Sequence, residues 1–293
     1  MQVVFHAGAH MTDEDKLLAC LSGNAELLGQ FGAMAPPPRS YRKLMRDMLR
    51  DANQAGGAPA PDARATLLAA MGADPQPDRL ILSSEGFFGT PKMAASSGVL
   101  YQAAEHRLDI YQRMFRGDGF ELFLAIRNPA SFLPGVFRQT QFDDFADFLG
   151  GTEPAAIRWS EMIGRLRAAF PDMPMTVWCY EDIPLIWAQL VREMAGFEPT
   201  TRFDGEHAIL SEIMTAPGLD RFEAYLASHP DMTEIQKRRV IVAFLDKFAE
   251  ENAMEEELDV PGWTEAMVED LTEIYDEDVY AIARLPGVTM IAP

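Results

Sequence analysis

Four short runs of nearly continuous apolar residues stand out along the chain: QVVFHA at 2–7, RLILSS at 79–84, ELFLAI at 121–126 and MTVWCY at 175–180. A strand covered on both faces needs such a run, because neither face meets water. A weaker strand signal lies at 30–35, stopped by the prolines at 36–38. Between the later runs, residues 98–115, 131–149 and 155–170 carry apolar positions at helical spacing, and each is long enough to cross over between parallel strands. In TDEDKLLACL, Leu17, Leu18 and Leu21 mark a helical face, and Thr12 with Asp15 three residues on resembles a capping box, which puts the helix N-terminus at Thr12. Residues 51–65 read as a flexible connection. After Tyr180 the pattern turns to helices alone, at roughly 184–196, 206–227, 231–251 and 264–284. Alternating strand and helix predicts a three-layer α/β core over residues 1–200 with a parallel sheet of four or five strands, and the helical run predicts a subdomain over 201–293 packed on it.

Charge narrows the function. The chain has 293 residues with 25 Lys and Arg against 45 Asp and Glu, a formal charge of −20, which opposes binding to a polyphosphate and excludes nucleic acid as a partner. The acidity is local: residues 246–278 hold 14 acidic residues and one basic, so the C-terminal subdomain is expected to present a solvated acidic face, or else a docking surface for a basic partner. The opposite bias occurs in RSYRKLMRDMLR at 39–50, where Arg42, Arg46 and Arg50 recur every fourth residue on one helical face. They suit either an anionic ligand in a cleft or the acidic C-terminal region of the same molecule. The two cysteines, Cys20 and Cys179, lie in apolar segments and make no disulfide framework. No basic leader and no run of ~18 apolar residues is present, so a cytoplasmic protein without a membrane partner is expected. The four tryptophans, Trp159, Trp178, Trp187 and Trp263, sit among apolar neighbours and are expected in the core.

In a parallel α/β sheet the ligand site lies beyond the carboxyl ends of the strands. The segments there are GAHMTDED after the first strand, SSEGFFG after RLIL, RNPASFLPG after ELFLAI and YEDIP after MTVWC. In order and position these four resemble the sulfotransferases that use 3′-phosphoadenylyl sulfate (PAPS), a branch of the P-loop fold, over roughly residues 2–195. The resemblance implies that Gly8 and Thr12 belong to the loop that wraps the 5′-phosphosulfate and that Arg127 contacts the 3′-phosphate. It also implies that Glu85 stands where the family places the base that takes the acceptor's proton.

The departures from the family's pattern matter as much. Met11 replaces the phosphate-binding Lys, the next residues after Thr12 are Asp13, Glu14 and Asp15, and Gly135 replaces the Ser eight residues after the Arg. A helix N-terminus attracts anions, but here the chain supplies its own. At an effective dielectric of 20, one carboxylate ~4 Å from one phosphate charge costs ~4 kcal/mol, about a thousandfold in affinity. These residues disfavour PAPS as a cofactor. They do not form a metal site either, because three consecutive helical carboxylates diverge by ~100° each, and no HExxH or CxxC spacing occurs elsewhere.

His10, beside the first turn, is a second candidate catalytic group, while His6 within the strand reads as a core residue. Arg42 and Arg46 are the candidate substrate-binding residues. The expectation is a sulfotransferase-like protein with a degenerate donor loop acting on an unidentified acceptor. The alternative is a non-catalytic binding or scaffold protein on the same fold, with a small molecule or a protein as its ligand.

Overall fold

The computed structural model describes residues 1–12, 14–250 and 263–293. Six strands, β1 (Gln2–His6), β2 (Ala33–Met34), β3 (Arg79–Ser83), β4 (Gly119–Ile126), β5 (Met175–Cys179) and β6 (Val288–Ile291), form one sheet in the order β2-β3-β1-β4-β5-β6. Every pairing is parallel. The sheet thus has six strands where the sequence pattern gives four or five. The weak signal at 30–35 becomes the two-residue β2.

Helices α1 (Lys16–Gly23) and α2 (Ala25–Gln30) follow β1, and α3 (Pro38–Gln54) and α4 (Ala63–Met71) follow β2. After β3 come α5 (Pro91–Ala94) and α6 (Ala104–Met114), and after β4 come α7 (Pro129–Arg138), α8 (Phe145–Phe148) and α9 (Trp159–Ala169). Between β5 and β6 lie α10 (Ile183–Ala195), α11 (Ala208–Ile213), α12 (Ala216–Ser228), α13 (Glu234–Phe248) and α14 (Glu265–Ile282).

The two-residue period of a strand divides the core. Val3, Phe5, Leu80, Leu82, Leu122, Leu124 and Val177 point to one face, where they meet Tyr41, Met45 and Leu49 of α3, Leu108 of α6 and Met162 and Leu166 of α9. Val4, Ile81, Phe123 and Trp178 point to the other, against Leu17 and Leu21 of α1 and Ile186, Leu190 and Val191 of α10. Both faces are therefore apolar, which is why the strands read as continuous runs. Trp159 and Trp178 are fully buried, whereas Trp263 is only partly buried.

The C-terminal region departs from the expected helical subdomain in two ways. Its last element is a strand, β6, hydrogen-bonded to the edge of β5. Helix α14 packs on the central core through Tyr275 and Ile282 and also supplies the N-terminal cap of α9. The buried Asp278 carboxylate accepts from Trp159 N at 2.7 Å and Ser160 N at 3.1 Å, and it accepts from the Ser160 hydroxyl as well. Those N–H groups have no partner inside their own helix, so an acid from another element satisfies them. Only α11–α13 build a cluster of their own, around Leu210, Met214, Phe222 and Ile241. Among the described residues no helix is long and apolar enough to cross a membrane.

Candidate functional site

Strand β1 lies between β3 and β4: the chain runs from β1 to β2 and β3 on one side and then crosses to β4 on the other, a reversal of strand order that opens a crevice at the carboxyl end of β1. The turn that follows is folded on itself. Gly8 approaches its neighbours so closely that a β-carbon there would lie 3.1 Å from His6 Nε2 and 3.2 Å from Thr12 Oγ1. The Thr12 hydroxyl donates to Ala9 O at 2.6 Å and is buried. It caps no helix: α1 begins at Lys16, with its first backbone bond from Ala19 N to Asp15 O at 2.8 Å. The capping box expected at Thr12 and Asp15 does not form, because Met11, Glu14 and Asp15 adopt left-handed backbone with φ of 66°, 49° and 64°. Glu14 and Asp15 therefore precede the helix rather than occupying its first turn. Asp13 falls outside the described residues.

A cleft of about 300 Å³ opens beside this turn. Glu14, Asp15 and Glu85 line it with one guanidinium, Arg42, and with His6 and Ser83 from the ends of β1 and β3. Arg42 forks onto Asp15, with Nη1 to Oδ2 at 2.9 Å and Nη2 to Oδ1 at 2.5 Å, while its Nε donates to Ser83 O at 2.8 Å. The hydrogen bonds from Arg42 hold the Asp15 carboxyl below the ordinary carboxylate range. Tyr41 fixes the same strand end, donating to Ser83 O at 2.7 Å and accepting from Ser83 N at 3.0 Å. His6, read as a core residue, is buried yet lines the cleft, its Nδ1 2.9 Å from Ser83 Oγ and its ring stacked on Trp178 at 5.7 Å. Nothing local in the sequence marks the His6–Ser83 pair, since only the β1–β3 register makes them neighbours.

The remaining candidates scatter. Glu85 reaches the cleft but is exposed. His10 does not line the cleft. It is buried, its backbone N donates to the Tyr101 hydroxyl at 2.9 Å, and its Nδ1 lies 2.8 Å from the same oxygen. Burial pulls its pKa down to about 4, so at neutral pH it is an uncharged core imidazole. Arg46 is exposed and borders a different depression with Arg50, Asn53 and Arg107. Arg42, Arg46 and Arg50 do not converge on one cleft. Among the described residues they also find no C-terminal acid: Arg42 pairs with Asp15, and Arg50 with Asp47 and Asp51.

Arg127 is wired into the turn. Its Nη1 donates to Met11 O, its Nε donates to Ser131 Oγ at 3.0 Å, and its guanidinium lies 4.4 Å above the Tyr180 ring. The Met11 side chain in turn packs against Gly135: a β-carbon on Gly135 would stand 3.4 Å from Met11 Cε. The Tyr180-Glu181-Asp182 segment is structural. Glu181 Oε1 accepts from Asn128 N at 2.8 Å, and Oε2 accepts from the Tyr275 hydroxyl at 3.1 Å, which joins the ends of β4 and β5 to α14.

These residues do not fit a bound 3′-phosphoadenylyl sulfate. The Arg127 guanidinium and the Thr12 hydroxyl, the groups the resemblance assigns to phosphate, are directed at carbonyls of the turn itself. Met11, at the position of the family's Lys, packs on Gly135, and the adjacent cleft is lined by carboxylates. Compared with protein-family models, curated proteins and solved structures, the chain matches none.

Proposed function

We propose that this protein is a sulfotransferase-like α/β protein that no longer takes the nucleotide-sulfate donor and acts instead by binding a small ligand in the cleft at Ser83. The observation that carries this reading is the closure of the first turn by Arg127 on Met11 O, with Met11 packed on Gly135. An in-line sulfuryl transfer needs cationic donors preorganised at the departing phosphate. Among the described residues the cleft has three carboxylates against one guanidinium already paired with Asp15, a field that opposes an anion and favours a neutral or cationic small molecule.

The test is calorimetry with 3′,5′-adenosine bisphosphate, the nucleotide product of the donor. The wild type is expected to give no saturable heat. The triple variant Met11→Lys, Asp13→Gly, Glu14→Thr restores the family's loop residues and is expected to gain binding. Saturable binding by the wild type, lost in Arg127→Ala, would overturn the proposal and restore a donor-using transferase with Glu85 as the base.

A further inference from the structure

A second cavity, of about 270 Å³, lies away from the sheet crevice, between α10, α11, α12 and α13. Its floor is apolar, built from Leu185, Trp187, Leu210, Phe222, Leu226 and Ile241. The charged groups of its lining run against the character of the chain. In a protein of net charge −20, the lining holds four cationic side chains, Arg192, Arg202, Lys237 and Arg238, against the three carboxylates Glu206, Glu223 and Glu234.

The ion pairs within the lining leave an uneven remainder. Glu206 is taken by Arg192, Glu234 by Lys237 at 2.8 Å and by Arg192 at 3.7 Å, and Glu223 faces His207 at 3.7 Å. Two guanidinium groups are left without a carboxylate in ion-pair contact among the described residues. Among the described residues Arg238 donates to neutral acceptors, the side-chain oxygen of Gln189 and the backbone oxygen of Ala292 at 2.7 Å, with the Asp182 carboxylate close enough to feel its charge. Arg202 is exposed. His207, also in the lining, has its pKa lowered by burial and is neutral at pH 7, so Glu223 keeps its charge and one carboxylate stands against the two guanidinium groups.

An apolar floor beside guanidinium groups that make no ion pair is an arrangement that recognises an amphipathic anion. The apolar body leaves water while a planar carboxylate takes the fork of an Arg. We propose that this cavity is a binding site for a small amphipathic carboxylate, an aromatic or short-chain aliphatic acid. A volume of about 270 Å³ is at the small end of ligand pockets and suits a single ring or a short chain. The site is independent of the crevice beside Ser83 and has the opposite charge preference.

The test uses phenylacetate and its cationic near-isostere phenethylamine, titrated by calorimetry into the full chain. Phenylacetate is expected to bind saturably and phenethylamine not. Arg202→Gln, an exposed substitution that leaves the fold untouched, and Arg238→Gln are each expected to weaken phenylacetate about tenfold, the loss of one charge-assisted hydrogen bond. Leu226→Trp, which fills the cavity, is expected to abolish it. Equal binding of the two probes, binding that survives Leu226→Trp, or no heat from phenylacetate, benzoate or hexanoate at millimolar concentration would each overturn the proposal.

Discussion

Met11 packs directly on Gly135: the methionine methyl stands 3.4 Å from where a β-carbon on Gly135 would be, at van der Waals contact. These are two of the positions at which the chain departs from the sulfotransferase pattern it resembles, and they lie against each other. A serine at Gly135 adds a hydroxyl to a β-carbon that would already touch the methionine. Gly135→Ser is therefore expected to cost ~1–2 kcal/mol, the usual penalty of overpacking, and to cost little in a Met11→Ala background. A double-mutant cycle in urea measures the coupling, and additivity of the two changes would refute the packing account.

The turn holds three non-glycine residues in left-handed backbone. Each such residue costs on the order of 1–2 kcal/mol, and glycine does not pay it. Glu14 is exposed and its φ is 49°. Glu14→Gly is expected to stabilise the protein by ~0.5–1 kcal/mol, seen as a higher midpoint in thermal unfolding.

Asp278 caps α9 from a distant part of the chain. Asp278→Ala leaves Trp159 N and Ser160 N without their acceptor and is expected to destabilise by ~2–3 kcal/mol. Asp278→Asn keeps one acceptor oxygen and should lose less. Denaturant unfolding of both variants separates the cap from mere packing.

Two groups give the stability opposing slopes with pH. His10 titrates ordinarily at 6.5 and is pulled down to about 4 by burial, so the unfolded chain takes up its proton first and stability falls as pH drops from about 6.5 toward 4. Asp182 is pushed up from 3.8 to about 6 by burial and then by the neighbouring Glu181 charge. Its contribution is fully present below pH 3.8 and is lost as pH rises through 6. Asp182→Asn is expected to raise the unfolding midpoint at pH 7 and to leave it nearly unchanged at pH 4. The imidazole of His10, followed by NMR, should remain neutral down to about pH 5.

Strands β1, β3, β4 and β5 were legible in the sequence because a two-sided apolar cover leaves an uninterrupted signal, and α10 and α14 because their apolar faces repeat at helical spacing. Strand β6 was not: VTMI is four residues long, follows a Pro-Gly pair and is only half covered, so it carries neither a run nor a clean alternation. At the site, the strand ends named the right neighbourhood, and Gly8, Thr12, Arg42 and Glu85 all lie in or beside the cleft or its turn. What they contact was hidden, since Arg42 to Asp15, Arg127 to Met11 and His6 to Ser83 are fixed by register and backbone handedness rather than by spacing. His10 misled for a related reason, because a residue one turn past a strand end reaches the core as readily as the crevice.

The position of β6 bears on how the molecule is made. Synthesis delivers β5 long before residues 288–291 emerge to pair with it, and meanwhile the outer rim of β5 offers bare N–H and C=O groups to any neighbouring nascent chain. The stretch made in that interval includes residues 246–278, with their 14 acidic side chains. Like charges on adjacent chains repel, so an acidic stretch placed before the closing strand opposes edge-to-edge pairing of two copies that lack it.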